Sequence, residues 1–305
     1  MITDGPVHIS MAVDRGFEVP LAVSLLSIAE AHENTDIHCE VSVLCAGLDD
    51  DVYRTIERDV AGRIGLDWQE VDLGRLDGAS YTVGLSSAAL FRILLPDLLP
   101  ASRTRTIYLD ADTLVLRPLA EIWCTELDGQ LLAAVRDAGA PFPAGPSGTD
   151  WRGVGLAPDT KYFNSGLLVL PLDLWRKEGT AASTLEVLRT KAMQWGDQDA
   201  LNVVAQHRWH ELPRRWNLQT ADADGRSLSW ALWHSDVEAA VQDPAIIHYT
   251  GMSKPWTGRK DHPFAELWFS ALARSSWAGW TPDGPSTVAR VRRRMTRAAQ
   301  VLLHG

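Results

Sequence analysis

Two carboxylates, Asp110 and Asp112, follow directly on the short apolar run Thr106 to Leu109. The run is predicted as a buried strand, and acids at the carboxyl end of such a strand lie where open α/β sheets bind ligands. Carboxylate oxygens at this spacing can hold Mn²⁺ or Mg²⁺, and the metal can bridge a diphosphate. The motif alone is weak evidence, because Asp222-Ala223-Asp224 repeats it. No strand is predicted before that second copy, so we interpret it as structural.

The same acids allow a second interpretation. An apolar strand leading into Asp110-Ala111-Asp112-Thr113 also resembles the nucleophile motif of haloacid-dehalogenase-type phosphatases. In such an enzyme Asp110 would be phosphorylated and Asp112 would act as the general acid. That family usually opens its fold with the motif, whereas here a β-α-β unit precedes it. The segment Gly196 to Asp199 fits the acidic metal motif of those enzymes only in part, so the phosphatase is kept as an alternative function.

The segments that position these acids alternate between the periods of strands and of helices. Val7 to Val13 alternates, Pro20 opens a helical pattern, and Ile37 to Cys45 alternates again. This order predicts an α/β fold with a mostly parallel sheet covered by helices on both faces. Further strands are predicted near Leu66 to Val71, Thr106 to Leu109, Gly166 to Leu170 and Ala245 to Tyr249, and helices at Val52 to Val60, Ser87 to Leu95, Ala181 to Met193 and Asp197 to Ala205.

The composition describes a folded protein that can bury a sizeable core. The chain has 305 residues, 46% of them hydrophobic and 22% charged, and a net charge of -10. An acidic chain of this kind is not expected to bind nucleic acid through a basic surface. Cys39, Cys45 and Cys124 lack zinc spacing and are predicted to be reduced core residues of a cytoplasmic protein. Neither a signal peptide nor a membrane-spanning run is expected.

Two stretches lack regular periodicity. Arg136 to Thr160 is rich in Gly and Pro and is predicted as a long loop, and Trp216 to Trp233 is irregular. Loops of such length often act as lids or binding loops, so acceptor recognition is assigned to these two stretches. Of the 13 tryptophans, only Trp151, Trp216 and Trp256 are considered as site residues, and a place in the core is the stronger expectation even for these.

Residues 286–305 contain five arginines and no acid. The apolar residues Val288, Val291, Met295, Val301 and Leu302 are spaced roughly as one helix face, so a basic amphipathic helix is predicted. Such a helix can lie on an anionic membrane, here the inner face of the plasma membrane. A solvated helix or frayed end, packed on the protein's own acidic surface, is the other interpretation, and both remain open.

Four segments along the chain carry polar residues in a distinctive order. They are Ile107-Tyr108-Leu109-Asp110-Ala111-Asp112, Tyr162-Phe163-Asn164-Ser165-Gly166, Gly196-Asp197-Gln198-Asp199-Ala200-Leu201-Asn202 and His248-Tyr249-Thr250-Gly251-Met252-Ser253-Lys254-Pro255-Trp256. In order and spacing they resemble the family 8 glycosyltransferases, and most of all the bacterial lipooligosaccharide galactosyltransferase branch. Ala12 to Phe17, Pro20 and Arg92 also match. The resemblance covers roughly Val7 to Trp256, and four motifs in register are far more specific than one.

This resemblance implies a GT-A fold, a nucleotide-sugar donor (usually a UDP-sugar), a divalent metal, and transfer with retention of anomeric configuration. Matched residue by residue, Asp110, Asp112 and His248 would hold Mn²⁺ or Mg²⁺, and two carboxylates with one imidazole suit Mn²⁺. Lys254 would meet the diphosphate and stabilise the developing charge of the leaving group. Gly251 would let the backbone approach the phosphates.

The remaining matched positions surround the donor. Ala12 and Asp14 would border the uracil and ribose, and Ala111 lies between two metal ligands. The chain departs from the family at Arg15-Gly16, where relatives more often carry Asp-Asn, and at Phe17, which replaces a common Tyr. The donor sugar would be surrounded by Arg92, Asn164, Ser165, Asp197 and Gln198.

Retention requires either two displacements or a front-face mechanism. In a double displacement, the position below the anomeric carbon matches Gln198, whose neutral amide is a poor nucleophile. A front-face mechanism, in which the leaving phosphate accepts the acceptor's proton, is the more economical hypothesis. Asp199 is the other catalytic candidate, or a structural acid that holds Arg92. Asp197 would bind sugar hydroxyls, because strong discrimination between epimers needs buried polar groups.

These observations predict a catalytic domain at 1–260, with a donor half at 1–115 and an acceptor half at 116–260, and a C-terminal helical region at 261–305. The predicted function is transfer of a hexosyl group from UDP-galactose or UDP-glucose to a hydroxyl of a saccharide, glycolipid or small-molecule acceptor. A catalytically silent sugar-nucleotide binder is a third candidate, which would bind UDP with metal and never turn a donor over.

Overall fold

The computed structural model describes residues 5–79, 86–145, 148–252, 254–258 and 261–281. The basic tail at 286–305 lies outside these residues, and so does the membrane contact predicted for it. Within the described ranges, every helix is too short or too polar to cross a membrane.

Ten strands in the described part of the chain form two sheets. The seven-stranded sheet has the order β3-β2-β1-β4-β7-β6-β8, and the small sheet has the order β5-β10-β9. Four of the six neighbouring pairs in the large sheet are parallel, whereas β7 runs antiparallel to both β4 and β6. The strands are β1 (Val7–Asp14), β2 (Cys39–Ala46), β3 (Gly65–Glu70), β4 (Arg105–Asp110), β5 (Thr113–Val115), β6 (Leu132–Arg136), β7 (Phe163–Pro171), β8 (Trp209–Glu211), β9 (Leu218–Gln219) and β10 (Ile246–His248).

Helices cover both faces of the large sheet, as the sequence predicts. The α-helices are α1 (Glu18–His32), α2 (Asp50–Val60), α3 (Leu95–Leu98), α4 (Ala120–Trp123), α5 (Trp151–Val154), α6 (Leu172–Glu178), α7 (Thr180–Thr190), α8 (Asp197–Val204), α9 (Thr220–Ala223), α10 (Leu228–Leu232), α11 (His234–Gln242) and α12 (Ala265–Ala273). Short 3₁₀ helices occupy Leu73–Leu76, Ser87–Leu94, Arg214–Asn217 and Pro255–Thr257.

Two hydrophobic layers hold the helices to the sheet, and the alternation of strand residues separates them. In β4, Ile107 and Leu109 pack into the layer that contains Leu25 of α1 and Ile56 of α2. Tyr108 points into the opposite layer, which contains residues of α7 and α8. The period-2 pattern in the sequence therefore divides β4 between two cores, as expected for a sheet covered on both sides.

The chain reverses its order in the sheet between β1 and β4, because it builds β2 and β3 outward on one side of β1 before returning to the other. In open α/β sheets, the crevice at the carboxyl ends of the strands on either side of such a reversal is the usual ligand site. Here β1 ends at Asp14 and β4 ends at Asp110, and Ala12 pairs with Asp110 in the parallel register. The fold therefore places both acids at one crevice.

Three predictions about local structure need correction. Ser87 to Leu95 is predicted as one helix, but a 3₁₀ helix ends at Leu94 and α3 begins at Leu95. Pro96 lacks the N–H that an α-helix would donate to the carbonyl of Arg92, so the helical hydrogen bonds are interrupted. The loop from Arg136 to Thr160 contains the four-residue α5. Trp216 to Trp233 is organised into β9, α9 and α10, elements too short for periodicity to reveal.

The second Asp-Ala-Asp motif and the cysteines also differ in detail from expectation. The two-residue β9 does precede Asp222, yet this acid is fully buried and ion-paired with Arg214 at 2.9 Å, which confirms its structural role. Cys39 and Cys45 are buried free thiols, as predicted. Cys124 is also free but exposed, because it caps the short surface helix α4 rather than entering a strand.

Candidate active site

The small sheet brings a histidine from late in the chain to the two acids. β5 begins at Thr113, directly after Asp112, and the antiparallel β10 pairs His248 with Thr113. As a result, Asp110, Asp112 and His248 each offer one ligand atom, and these atoms lie within 4.8 Å of one another. His248 Nε2 lies 3.1 Å from Asp112 Oδ1 and 3.7 Å from Asp110 Oδ2.

The donor atoms of this cluster fit a divalent cation. Asp112 Oδ1 is buried and accepts no hydrogen bond from any described residue. A buried carboxylate oxygen without a donor is costly, and a cation held by this oxygen and Nε2 would satisfy both atoms. Two carboxylates and one imidazole are a ligand set suited to Mn²⁺.

Lys254 lies on the same carboxylate. Its Nζ donates hydrogen bonds to Asp112 Oδ2 and to the carbonyl of Tyr249. Burial alone would raise the pKa of Asp112, but the charge of Lys254 and the imidazole of His248 outweigh it and lower this pKa below its usual range. Asp112 is therefore an anion at neutral pH, and a cationic side chain lies beside the metal ligands.

Arg92 forms a buried electrostatic centre behind the cluster. Its guanidinium donates to Asp110 Oδ1 at 2.8 Å and to the carbonyl of Ser165 at 2.5 Å, and it pairs with Asp197 Oδ2 at 3.2 Å. It also stacks 4.5 Å from the ring centroid of Tyr108, whose hydroxyl donates to Asp110 Oδ1 at 2.9 Å. Burial raises the pKa of Asp197 to about 6, against the opposing effect of Arg92.

A group of side-chain amides continues the site beyond Arg92. Gln198 Oε1 accepts from Asn164 Nδ2 and from the backbone N–H of Ser165, each at 3.1 Å. Its Nε2 donates to Asp137 Oδ2 at 3.3 Å. Ser165 Oγ donates to Asp197 Oδ2 at 3.0 Å. The structure thus brings together the residues that the sequence assigns to the metal and to the donor sugar.

Asp199 does not join this group. Its carboxylate accepts hydrogen bonds from Thr149 Oγ1 at 3.0 Å, Tyr162 Oη at 2.6 Å and the backbone N–H of Trp195 at 2.7 Å. The acids that pair with Arg92 are Asp110 and Asp197, so the hypothesis that Asp199 holds Arg92 is wrong. Asp199 instead fixes the Thr149 region of the long loop to α8.

The residues assigned to the nucleotide lie at the same crevice. Asp14 Oδ2 accepts from Ser86 Oγ at 2.5 Å, and Ala12 and Ala111 are buried beside Asp110. Phe17 packs edge-on against Trp256, at 6.3 Å between ring centroids. Gly251 has a φ of +83°, a conformation that favours glycine.

The three tryptophans considered as site residues fall mostly into the core. Trp216 and Trp256 are buried, as the stronger expectation has it. Trp151 is half-buried, and the guanidinium of Arg152 lies over its ring.

Gly166 is required for the close approach of the metal ligands. β4 and β7 pair Leu109 with Leu167, which places Gly166 beside Asp110. A Cβ on this residue would clash with His248 Cε1 and lie 2.7 Å from Asp110 Oδ2. No side chain larger than hydrogen fits between the two ligands.

Gly166→Ala is therefore expected to weaken Mn²⁺ binding about 10- to 100-fold and to lower the free energy of unfolding by about 1–3 kcal/mol. Calorimetric titration with Mn²⁺ and urea unfolding measure the two effects. Gly65→Ala is the matched control, because a Cβ in that strand meets only ordinary contacts, the nearest at 3.4 Å. Unchanged Mn²⁺ affinity in Gly166→Ala would contradict the ligand assignment.

Three residues of the site are not predicted from the sequence. Asn217 contacts His248, Asp137 contacts Gln198, and Tyr108 contacts Asp110. Tyr108 lies inside the first of the four motifs. It precedes Asp110 by two residues in a strand, which puts both side chains on one face of the sheet. Asn217 ends a short 3₁₀ helix and Asp137 follows the unpredicted β6, so neither gives a comparable signal.

The sequence profile described as glycosyl transferase family 8 matches residues 8–260 of the chain. The chain belongs to this family. The match extends over the metal cluster, the Arg92 centre and the amide group, so the resemblance seen in the four motifs is confirmed. Membership also makes the protein a glycosyltransferase and decides against the phosphatase alternative built on Asp110.

Similar proteins and solved structures cover nearly the whole chain. General stress protein A of Bacillus subtilis is 27% identical over 287 residues, which make up 91% of this chain and 96% of the relative. Lipopolysaccharide 1,2-glucosyltransferase of Escherichia coli is 24% identical over 94% of this chain and 84% of the relative. The crystal structure of galactosyltransferase LgtC with donor and acceptor sugar analogues has a TM-score of 0.73 at 24% identity, covering 88% of this chain and 96% of that one. The fold is accordingly of the GT-A class.

Proposed function

We propose that this glycosyltransferase moves a hexosyl group from a UDP-sugar to a hydroxyl acceptor with retention of anomeric configuration. The observation that carries the proposal is the joining of Asp110, Asp112 and His248 to the Arg92–Asp197 pair at the carboxyl ends of β1 and β4. One end of this arrangement suits a metal-bound diphosphate, and the other offers buried polar groups for a sugar.

The diphosphate is proposed to bind between the metal ligands and Lys254. Asp110, Asp112 and His248 would hold Mn²⁺ (or Mg²⁺), which when bound neutralises the charge of the leaving diphosphate. Lys254 lies beside Asp112, and its ammonium can turn to an anionic oxygen from there. We therefore assign Lys254 to the charge that develops as the leaving group departs.

Recognition of the sugar is proposed to fall to Arg92, Asn164, Asp197 and Gln198. Asp197 is buried, forms an ion pair with Arg92 and accepts a hydrogen bond from Ser165, which fixes its carboxylate for a sugar hydroxyl. A site of this kind separates epimers, because a misplaced hydroxyl leaves buried groups unpaired. Galactose and glucose are the two donor sugars we propose, in keeping with the galactosyl- and glucosyltransferases among the similar proteins.

We infer a front-face mechanism for the transfer. The bond between the anomeric carbon and the diphosphate oxygen breaks, and the bond to the acceptor oxygen forms on the same face of the sugar. The acceptor's proton passes to the departing diphosphate oxygen, so both charge and atoms balance. Gln198 is held by Asn164, Ser165 and Asp137 as a hydrogen-bonding group, and its amide is neutral and weakly nucleophilic.

The acceptor is proposed to be a saccharide, a glycolipid included. Similar proteins include a lipopolysaccharide glucosyltransferase, which fits a glycolipid assembled at the inner face of the plasma membrane. The basic tail at 286–305 would add a contact with anionic lipid, a prediction that depends on its sequence alone.

The proposed donor class is tested by calorimetric titration of the full chain with UDP, in Mn²⁺ and in EDTA. Binding is expected only with the metal, because the diphosphate needs a cation between it and two carboxylates. GDP is the control nucleotide and is expected to bind more weakly. UDP-galactose and UDP-glucose are then assayed for UDP release.

Absence of UDP binding in both conditions would overturn the UDP assignment. Binding without any release of UDP from either donor, with lactose or a lipooligosaccharide core as acceptor, would instead overturn the two donor sugars proposed.

A further inference from the structure

We propose that Asn217 is a positioning residue that fixes the proton of His248 on Nδ1, so that Nε2 presents its lone pair to a cation held between it and the two acids. Through its other end, the same amide holds Asn164 and thereby Gln198. The inference deepens the proposed function, since it concerns the metal site on which that function rests.

The hydrogen-bond directions around Asn217 are fixed by its neighbours. Asn164 Oδ1 accepts from the backbone N–H of Gly166 at 3.0 Å, so the oxygen of that amide faces Gly166. Asn217 Nδ2 donates to the same oxygen at 3.0 Å. The other atom of the Asn217 amide is therefore the oxygen, which lies 2.9 Å from His248 Nδ1. An amide oxygen can only accept, so Nδ1 must carry a proton.

This proton leaves His248 Nε2 without one in the neutral ring. Nε2 and Asp112 Oδ1 lie 3.1 Å apart, and both then present lone pairs to the same point. Two acceptors at this distance repel unless a cation lies between them, so these two atoms form a place for a metal ion. Metal-bound histidines commonly have their second nitrogen fixed by such an acceptor.

The other end of Asn217 reaches the sugar side of the site. With its oxygen facing Gly166 and Asn217, Asn164 directs Nδ2 to Gln198 Oε1 at 3.1 Å and to Asp137 Oδ2 at 3.3 Å. Gln198 Nε2 then donates to Asp137 Oδ2. Each amide nitrogen in this series donates to at least one acceptor, and Asn217 is fully buried. One amide thus sets the orientation of groups at both ends of the site.

The variants Asn217→Ala and Asn217→Asp distinguish the two roles of this amide, toward His248 and toward Asn164. Alanine removes both bonds, whereas aspartate still accepts from Nδ1–H but no longer donates to Asn164. In the alanine variant, Asp112 Oδ1 becomes the best acceptor for the ring proton, which is expected to move to Nε2 and block the metal. Mn²⁺ affinity should then fall about 10- to 100-fold. The aspartate variant should keep both the tautomer and the affinity, and lose sugar transfer.

The tautomer is read from long-range ¹H–¹⁵N spectra of the metal-free, full-length protein with the rings neutral. His248→Gln identifies the signals, because only one of the nine imidazoles then disappears. We expect protonated Nδ1 in wild type and in Asn217→Asp, and protonated Nε2 in Asn217→Ala. Gln219→Ala is the matched control, since Gln219 is also a buried amide of this segment, and among the described residues its side chain bonds only to backbone atoms of residues 136 and 138.

Protonated Nε2 in wild-type protein would overturn the proposal, and that reading requires neither a folded alanine variant nor a bound metal. Unchanged tautomer and Mn²⁺ affinity in a folded Asn217→Ala would also overturn it. These readouts contain no nucleotide, so a failure of the UDP assignment leaves them intact. Conversely, UDP binding with protonated Nε2 would reject only the role of Asn217.

Discussion

Asp112→Asn is expected to lower the rate of sugar transfer roughly 10³-fold and to remove measurable Mn²⁺ binding at millimolar metal. The substitution keeps the shape of the side chain but removes the charge on which Lys254 and the metal both depend. Because the pKa of Asp112 is lowered, wild type carries this charge throughout the working range, and lowering the pH moderately cannot imitate the variant. UDP release with saturating donor measures the rate.

Asp224→Asn is the matched control for this prediction. Asp224 ends the second Asp-Ala-Asp tripeptide and pairs with the exposed Arg226, so its loss is expected to leave transfer near the wild-type rate. Circular dichroism separates loss of chemistry from loss of fold. A folded Asp112→Asn that transfers sugar within tenfold of wild type would remove Asp112 from the metal site.

The central part of the site is predictable from the sequence because it lies in contiguous motifs at strand and helix ends. Asp110 and Asp112 close a strand whose apolar run is visible, and Asp197 begins a helix in a segment that carries its own pattern. His248 lies in the last predicted strand, Ala245 to Tyr249, and ends β10. The family resemblance placed these segments in one site, and the switch between β1 and β4 explains why they meet there.

The supporting residues could not be predicted, because their positions depend on pairings between distant short strands. Asn217 contacts His248 because the two-residue β9, which follows Asn217, lies parallel to β10. Asp137 directly follows β6, a strand absent from the sequence prediction although it lies inside the large sheet. A run such as Leu132–Arg136 shows no alternation, since residues on both of its faces are buried.

Arg92→Met is expected to lower the free energy of unfolding by about 3–5 kcal/mol, the usual cost of leaving buried charge without its partner. The side chain of Arg92 is 4% exposed, and its loss leaves the carboxylates of Asp197 and Asp110 without this cationic partner. Urea unfolding measures the effect. The double variant Arg92→Met/Asp197→Asn is expected to recover at least about 1 kcal/mol of the lost free energy of unfolding, because it also removes the buried carboxylate of Asp197.

The pH dependence of this loss identifies Asp197 as its source. Burial raises the pKa of Asp197 to about 6 in the folded protein, above the unfolded value of about 3.9. The folded state therefore binds this proton more tightly, and stability falls as the pH rises from the unfolded pKa through the folded one. Without Arg92 the folded pKa rises further, so the deficit of Arg92→Met should keep growing above pH 6, where the contribution of Asp197 to wild-type stability is nearly constant. The double variant lacks this carboxyl and should show a deficit independent of pH in that range; a single variant with a constant deficit would mean that Arg92 stabilises the fold by packing rather than by charge.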